Sequence, residues 1–149
     1  MNLTKNSLTA EKKWLERANE LTSAELESPF WLDLQRALRA AGDGESECVA
    51  QWIDDVEKTF LLHLNSYKSG DLIEEEIALE SVLCHRLLVE GAECWLEALA
   101  EFRGALGREL DGAAVVARAG RGQRLLTLVR LIHEETEQAT GRILAWARE

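Results

Sequence analysis

Proline is almost absent from this sequence, and so are long apolar runs. Pro29 is the one proline in 149 residues, whereas leucine and alanine are abundant, which favours helices over strands. No apolar stretch approaches the roughly 18 residues that a membrane span needs. The charged N-terminal residues include no apolar segment of the kind found in a signal peptide. These absences predict a single domain over residues 1–149 that is soluble and cytoplasmic.

Cysteine is also sparse, and no catalytic motif is present. Cys48, Cys84 and Cys94 are widely spaced and form no C-x-x-C pair. An odd number of separated thiols is typical of unpaired, buried cysteines in a reducing compartment. The sequence has no phosphate-binding loop, no G-x-S-x-G elbow and no H-E-x-x-H motif. We therefore expect a protein that is not an enzyme and needs no cofactor.

The stretch from Asp71 to Phe102 has the pattern of one long helix, because apolar residues recur in it at helical spacing. Asp71 and Glu74 form a capping box at its start. Glu74, Glu75 and Glu76 lie in its first turn, where the helix dipole favours negative charge. Apolar residues cover more than one of its faces. We therefore predict an all-α fold, a five- or six-helix bundle around this long central helix.

Capping and turn residues divide the rest of the chain into further helices. They predict, in chain order, helices over about 9–26, 29–41, 46–67, 112–119 and 121–147. The clearest boundary is Ser28-Pro29, and Gly42-Asp43-Gly44 ends the helix that follows it. Asp111 is the expected cap of the short helix 112–119. The alternative for the C-terminal third is a single helix with a weak point at Gly120-Arg121-Gly122.

Tryptophan is the most informative of the few aromatic residues. The five tryptophans fall one to each long predicted helix, mostly on its apolar seam. We expect them to anchor the core, since an indole buries a large apolar area, and we predict that Trp52 and Trp95 are both buried. A tryptophan-lined ligand pocket is the alternative.

Charge is distributed unevenly along a chain whose net charge is −10. Residues 43–101 hold 15 acidic and 3 basic side chains, whereas residues 103–130 hold 6 arginines and 2 acidic side chains. An acidic protein of this kind is a poor candidate for general nucleic-acid binding. The acidic stretch either keeps the protein soluble or complements a basic protein partner.

Three arginines near the glycine-rich turn break a local rule. Arg121 and Arg124 would fall in the first turn of the last predicted helix, where the dipole disfavours cations, and Arg118 precedes them. Such conflicts often mark an interface, and arginine suits the bidentate binding of a phosphate or a carboxylate. Alternatively, the arginines pair with acids of residues 43–101, or the helix starts earlier.

Histidine spacing gives little support to a metal site. His63, His85 and His133 lack the Glu-x-x-His spacing with which di-iron bundles bind their metal. His133 and Glu137 stand one helical turn apart, which allows a shared ligand or a simple hydrogen bond.

We predict a non-enzymatic helical regulator or adaptor that meets a protein partner through a helix face. The candidate partner-binding residues are Arg118, Arg121, Arg124, Glu74, Glu75 and Glu76. One alternative is a nucleic-acid-associated protein that places the Arg118–Arg124 turn on phosphate. The second alternative is a bundle that holds a metal or an apolar ligand between its helices.

A homodimer is also expected from the length of the predicted central helix. At about 1.5 Å per residue it would span about 48 Å, whereas a globule of this size is roughly 38 Å across. Its exposed end and the apolar seam near the C-terminus would be covered by a second copy of the chain. A kink near Gly91 is the alternative.

Overall fold

A computed structural model of the chain describes residues 5–22, 26, 28–69, 79–108 and 111–148, and within these ranges it contains helices and no strands. The helices are α1 (Lys5–Glu20), α2 (Pro29–Gly42), α3 (Ser46–Ser69), α4 (Leu79–Ala105) and α5 (Gly112–Arg148). They pack against one another as a helical bundle, which confirms the predicted fold class. None of the described helices is long and apolar enough to cross a membrane.

The bundle is organised around α4 and α5, which share its most extensive interface. The third helix packs along α4, while α1 and α2 contact α5, and α2 also contacts α3. One core surrounds the fully buried Trp95 and Phe102, and a second, smaller core surrounds Leu87 where α1, α4 and α5 meet. The predicted central helix is therefore α4, and its predicted start at Asp71 lies outside the described residues.

Local sequence signals set both ends of α2. The helix begins at Pro29, as predicted, and it ends in a loop where Gly44 has a φ of +86°. The Glu45 amide donates to the Ala40 carbonyl over 3.0 Å, and the Gly44 amide donates to the Ala41 carbonyl over 3.2 Å. This pair of bonds closes the C-terminal end of the helix, and it requires the left-handed conformation that glycine adopts without strain.

The C-terminal third is one helix, so the predicted split at Gly120-Arg121-Gly122 is wrong and the single-helix alternative is right. Asp111 caps it as expected, because the Ala114 amide donates to Asp111 Oδ1 over 3.2 Å. Neighbouring helices pack closely against the glycines of this segment. A Cβ added at Gly120 would lie 3.3 Å from Cη2 of Trp31 in α2.

The α4 and α5 helices approach each other closely at Gly91 of α4 and Gly122 of α5. A Cβ at Gly122 would lie 2.7 Å from the Gly91 carbonyl oxygen, and 3.0 Å from Cβ of Cys94. A Cβ at Gly91 would lie 2.8 Å from Cδ2 of Leu126. Position 122 therefore requires glycine because of packing between helices and not because of its backbone conformation, whereas a Cβ at Gly91 would mainly displace the end of the Leu126 side chain.

The first helix differs from its prediction at both ends, since it runs from Lys5 to Glu20 and not from Thr9 to Leu26. Its Ala18 packs into the smaller core, whereas Leu26 is 1% exposed and belongs to the larger one.

Two predictions of burial fail on α3. Trp52 is only half-buried, although it packs against Phe102 with ring centroids 6.5 Å apart, and the thiol of Cys48 is exposed. Both residues border a groove between α2 and α3, where no further element of the described chain covers them. The prediction holds for Trp95, which is 0% exposed.

The close approach of α4 and α5 predicts opposite effects for two glycine substitutions. Gly122→Ala should lower the free energy of unfolding by about 1–3 kcal/mol, because its Cβ would strike a backbone oxygen that moves only if the helices separate. Gly104→Ala is the matched control in α4, since nothing lies within 4 Å of its added Cβ. Alanine there should raise stability by up to about 1 kcal/mol. Equal effects in urea unfolding would contradict the close approach.

Substitutions of Trp52 in α3 and of Trp95 in α4 should differ in their effect on the free energy of unfolding in the same assay. Trp95→Ala should cost about 3–5 kcal/mol, because it leaves a cavity and removes the hydrogen bond from Trp95 Nε1 to Gln123 Oε1. Trp52→Ala should cost clearly less, because part of its ring already contacts solvent. Equal losses at the two positions would show that the α2–α3 groove is closed in solution.

Candidate functional site

The predicted partner-binding residues do not form one group. Arg118 is exposed on α5, and its Nε lies 3.1 Å from Oε2 of Glu101 on α4, with an angle too bent for a hydrogen bond. This ion pair is the internal pairing with the acidic stretch that the sequence left open. Glu74, Glu75 and Glu76 lie outside the described residues.

Arg121 and Arg124 lie near the middle of α5 and not in its first turn, so the conflict with the helix dipole does not exist. Both line a cleft of about 600 Å³ between α1, α4 and α5, which we call the arginine cleft. Arg86 of α4 joins them there, and it was not among the predicted site residues. The lining residues are Leu15, Ala18, Asn19, Arg86, Glu90, Arg121, Arg124 and Leu125.

Glycine makes room for the guanidinium groups of this cleft. Nη1 of Arg124 lies 3.2 Å from the place where a Cβ of residue 120 would stand, so Gly120 leaves space for that side chain. Arg121 and Glu90 each immediately precede a contacting glycine, on α5 and α4 respectively, and both line the cleft. The close helix crossing therefore positions one basic and one acidic wall residue.

Arg124 also connects the cleft to α1. Its Nε donates to the Leu21 carbonyl oxygen over 3.2 Å, just beyond the last residue of that helix. Arginine side chains commonly bind the carbonyls that a helix end leaves unpaired. A guanidinium carries several N–H donors, so this one bond leaves others for a ligand.

The positive charge of Arg121 affects the pKa of Cys94 on α4. Burial raises the pKa of the half-buried Cys94 thiol, and Arg121 acts against this because a cation stabilises the thiolate. Glu97, Glu90 and Glu93 add to the upward shift of that pKa. Cys94 therefore lies within the electrostatic influence both of Arg121 and of the glutamates of α4, of which Glu90 lines the cleft.

The lining determines what the cleft can do chemically. Three guanidinium groups and one carboxylate leave it positively charged, and arginine binds carboxylate or phosphate oxygens through paired N–H donors. Leu15, Ala18 and Leu125 add an apolar wall that the aliphatic part of a side chain can contact. These groups suit the binding of an anion.

A second concave surface, the α2–α3 groove, has a volume of about 320 Å³. Its described lining consists of Asp33, Arg36, Ala37, Ala40, Cys48, Val49 and Trp52. Leu32, which is 56% exposed, precedes the first of these residues. The sequence analysis missed this groove, because the tryptophan and the cysteine fit the pattern of buried positions.

The histidines are scattered over the bundle. His63 and His133 are exposed and His85 is half-buried. Among the described residues, no three histidine, cysteine, aspartate or glutamate side chains come together in a group that could hold a metal.

The sequence contained one signal for Arg86, as it is one of only 3 basic residues in the acidic stretch 43–101.

No known protein family, curated protein or solved structure matches this chain. The two surfaces are therefore defined by the geometry of this chain alone.

The electrostatic interaction between Arg121 and the Cys94 thiol predicts a change in the reactivity of that thiol. Arg121→Gln should raise the pKa of Cys94 further, because burial and the neighbouring glutamates then act unopposed. Since the thiolate is the reactive form, alkylation of Cys94 by iodoacetamide should require a higher pH, as followed by mass spectrometry of a Cys48→Ser background. Arg118→Gln removes the same charge from the same helix and should leave the profile unchanged. An equal shift in both variants would contradict a specific contact.

Proposed function

We propose that this chain is a non-enzymatic helical interaction protein whose arginine cleft receives an acidic segment of a protein partner. The observation that supports this proposal is the convergence of Arg86, Arg121 and Arg124 on one cleft in a protein of net charge −10. Positive charge gathered against the overall charge of a protein is a mark of a binding site.

Arginines elsewhere in the chain show what pairing within the protein looks like. Arg103 of α4 bonds to Glu57 Oε2 over 2.7 Å and to Asp54 Oδ1 over 2.6 Å, and the Glu57 bond raises its pKa. The arginine cleft has a different composition, since Glu90 is the only acid among its described lining residues. Arg121 in particular is exposed there, so its guanidinium is accessible to a partner.

The dimensions of the cleft favour a short anionic segment. Its volume of about 600 Å³ falls within the range of roughly 300–1,000 Å³ that is usual for ligand pockets. A carboxylate side chain would place its oxygens on the guanidinium groups and its methylene groups on the apolar wall. A long polyphosphate strand would meet the acidic surfaces of α3 and α4, which repel it.

The acidic stretch supports a separate proposal, the basic partner expected from the charge of residues 43–101. Part of that stretch is already engaged, because Arg103 forms ion pairs with Asp54 and Glu57. An acidic segment in the arginine cleft is therefore the interaction that we favour, and nucleic-acid association is tested beside it.

Calorimetric titration with an oligoglutamate peptide tests the proposal. The wild-type chain should bind this peptide at low ionic strength, and added salt should weaken the binding. Arg121→Gln should weaken it at least tenfold, because a charge-assisted hydrogen bond contributes about 1.5–3 kcal/mol. Arg118→Gln, which removes a charge outside the cleft, should bind like the wild type.

Single-stranded oligothymidylate is the comparison ligand in the same titration. If it binds more tightly than oligoglutamate and Arg121→Gln abolishes that binding, the nucleic-acid alternative replaces the proposal. If oligoglutamate does not bind, or if both arginine variants weaken binding equally, the cleft is not the site.

A further inference from the structure

We infer that the α2–α3 groove is a self-association surface, and that its occupant is a second copy of this chain related by a twofold axis. This interface is distinct from the arginine cleft, because the two surfaces share none of their described lining residues. It gives the expected homodimer a location that the sequence did not indicate.

The apolar part of the groove is exposed in a single chain. Val49 is buried at the bottom of the groove, whereas Trp52 beside it keeps part of its indole open to solvent. Leu32 lies one helical turn from Arg36 and is 56% exposed. Large aromatic side chains that line a concave surface often anchor protein–protein interfaces.

The charges at the groove support a second copy of the chain as the occupant. Asp33 and Arg36 both line it, with Oδ1 and Nη1 3.7 Å apart on one turn of α2. A twofold interface must complement itself, so that Asp33 of one copy faces Arg36 of the second copy, and the reverse. One acid and one base satisfy this condition, and they make the described lining electrically neutral. Two chains of net charge −10 can therefore meet here without like charges in contact.

Part of the dimer surface expected from the sequence is occupied within the chain. Leu99 and Phe102 of α4, at the end of the central helix that a second subunit was expected to cover, are both 0% exposed and lie in the larger core. The side chains of Ile143 and Trp146 lie outside the described residues. The α2–α3 groove combines an open indole with one acidic and one basic side chain, so that its described lining is electrically neutral.

Light scattering and sedimentation of the full chain at low to high micromolar concentration test this inference. The wild type should reach twice the 16.7 kDa of one chain. Asp33→Arg and Arg36→Asp each place two like-charged pairs across the twofold axis, so each should weaken dimerisation about a hundredfold. The double variant Asp33→Arg/Arg36→Asp restores opposite charges and should dimerise again. Circular dichroism should show that all three variants keep the helical fold.

Thiol labelling tests the location of the interface independently. Cys48 lines the groove and is exposed, so its reaction with a maleimide should slow as the protein concentration rises, while Cys94, outside the groove, should react at a constant rate. A mass of 16.7 kDa throughout would overturn the inference. So would a dimer that persists unchanged in both single variants, or one in which Cys48 is not protected. Oligoglutamate binding should persist in the charge variants, which separates this test from that of the proposed function.

Discussion

The contact between the backbones of α4 and α5 is the constraint on which the rest of the structure depends. With no side chain at Gly91 or Gly122, the two helices come so close that a Cβ on one would lie 2.7 Å from a carbonyl oxygen of its neighbour. Trp95 and Gln123 then fix the register beside this crossing through a buried hydrogen bond of 3.2 Å. The α3 helix packs against α4, whereas α1 and α2 pack against α5.

This crossing also explains why arginines gather in an acidic protein. Arg121 lies next to a contacting glycine on α5, and Arg86 lies on α4 more than a turn before Gly91, so the short distance between the helices brings both to one cleft. Arg103 and Arg118 lie instead against carboxylates of neighbouring helices. The same residue type therefore pairs with acids of the bundle and lines the cleft that we propose as an anion site.

Local chemistry made part of the fold predictable. The ends of α2 and the cap of α5 depend on Pro29, Gly44 and Asp111, each of which acts on residues close to it in sequence. The continuity of α5 could not be read in this way. A helical glycine costs roughly 1 kcal/mol locally, whereas the contact that compensates for Gly122 comes from a remote helix. Burial at Trp52 failed for a related reason, since helical spacing identifies an apolar face but not the neighbour that covers it.

Only part of the candidate site could be predicted from the sequence, for the same reason. Arg121 and Arg124 are close in sequence and are predicted together, because the predicted helix boundary puts them in a first turn that disfavours cations. They lie near the middle of α5, so this reason for the prediction does not hold. Arg86 joins them only through the packing of α4 on α5. Because Arg124 also holds the Leu21 carbonyl beyond the end of α1, an anion in the cleft would act on the docking of that helix. It would reduce the repulsion among the three guanidinium groups, and any ligand that binds only the folded state stabilises it. Under the proposed function, binding at this cleft would therefore be thermodynamically linked to the attachment of α1 to the bundle.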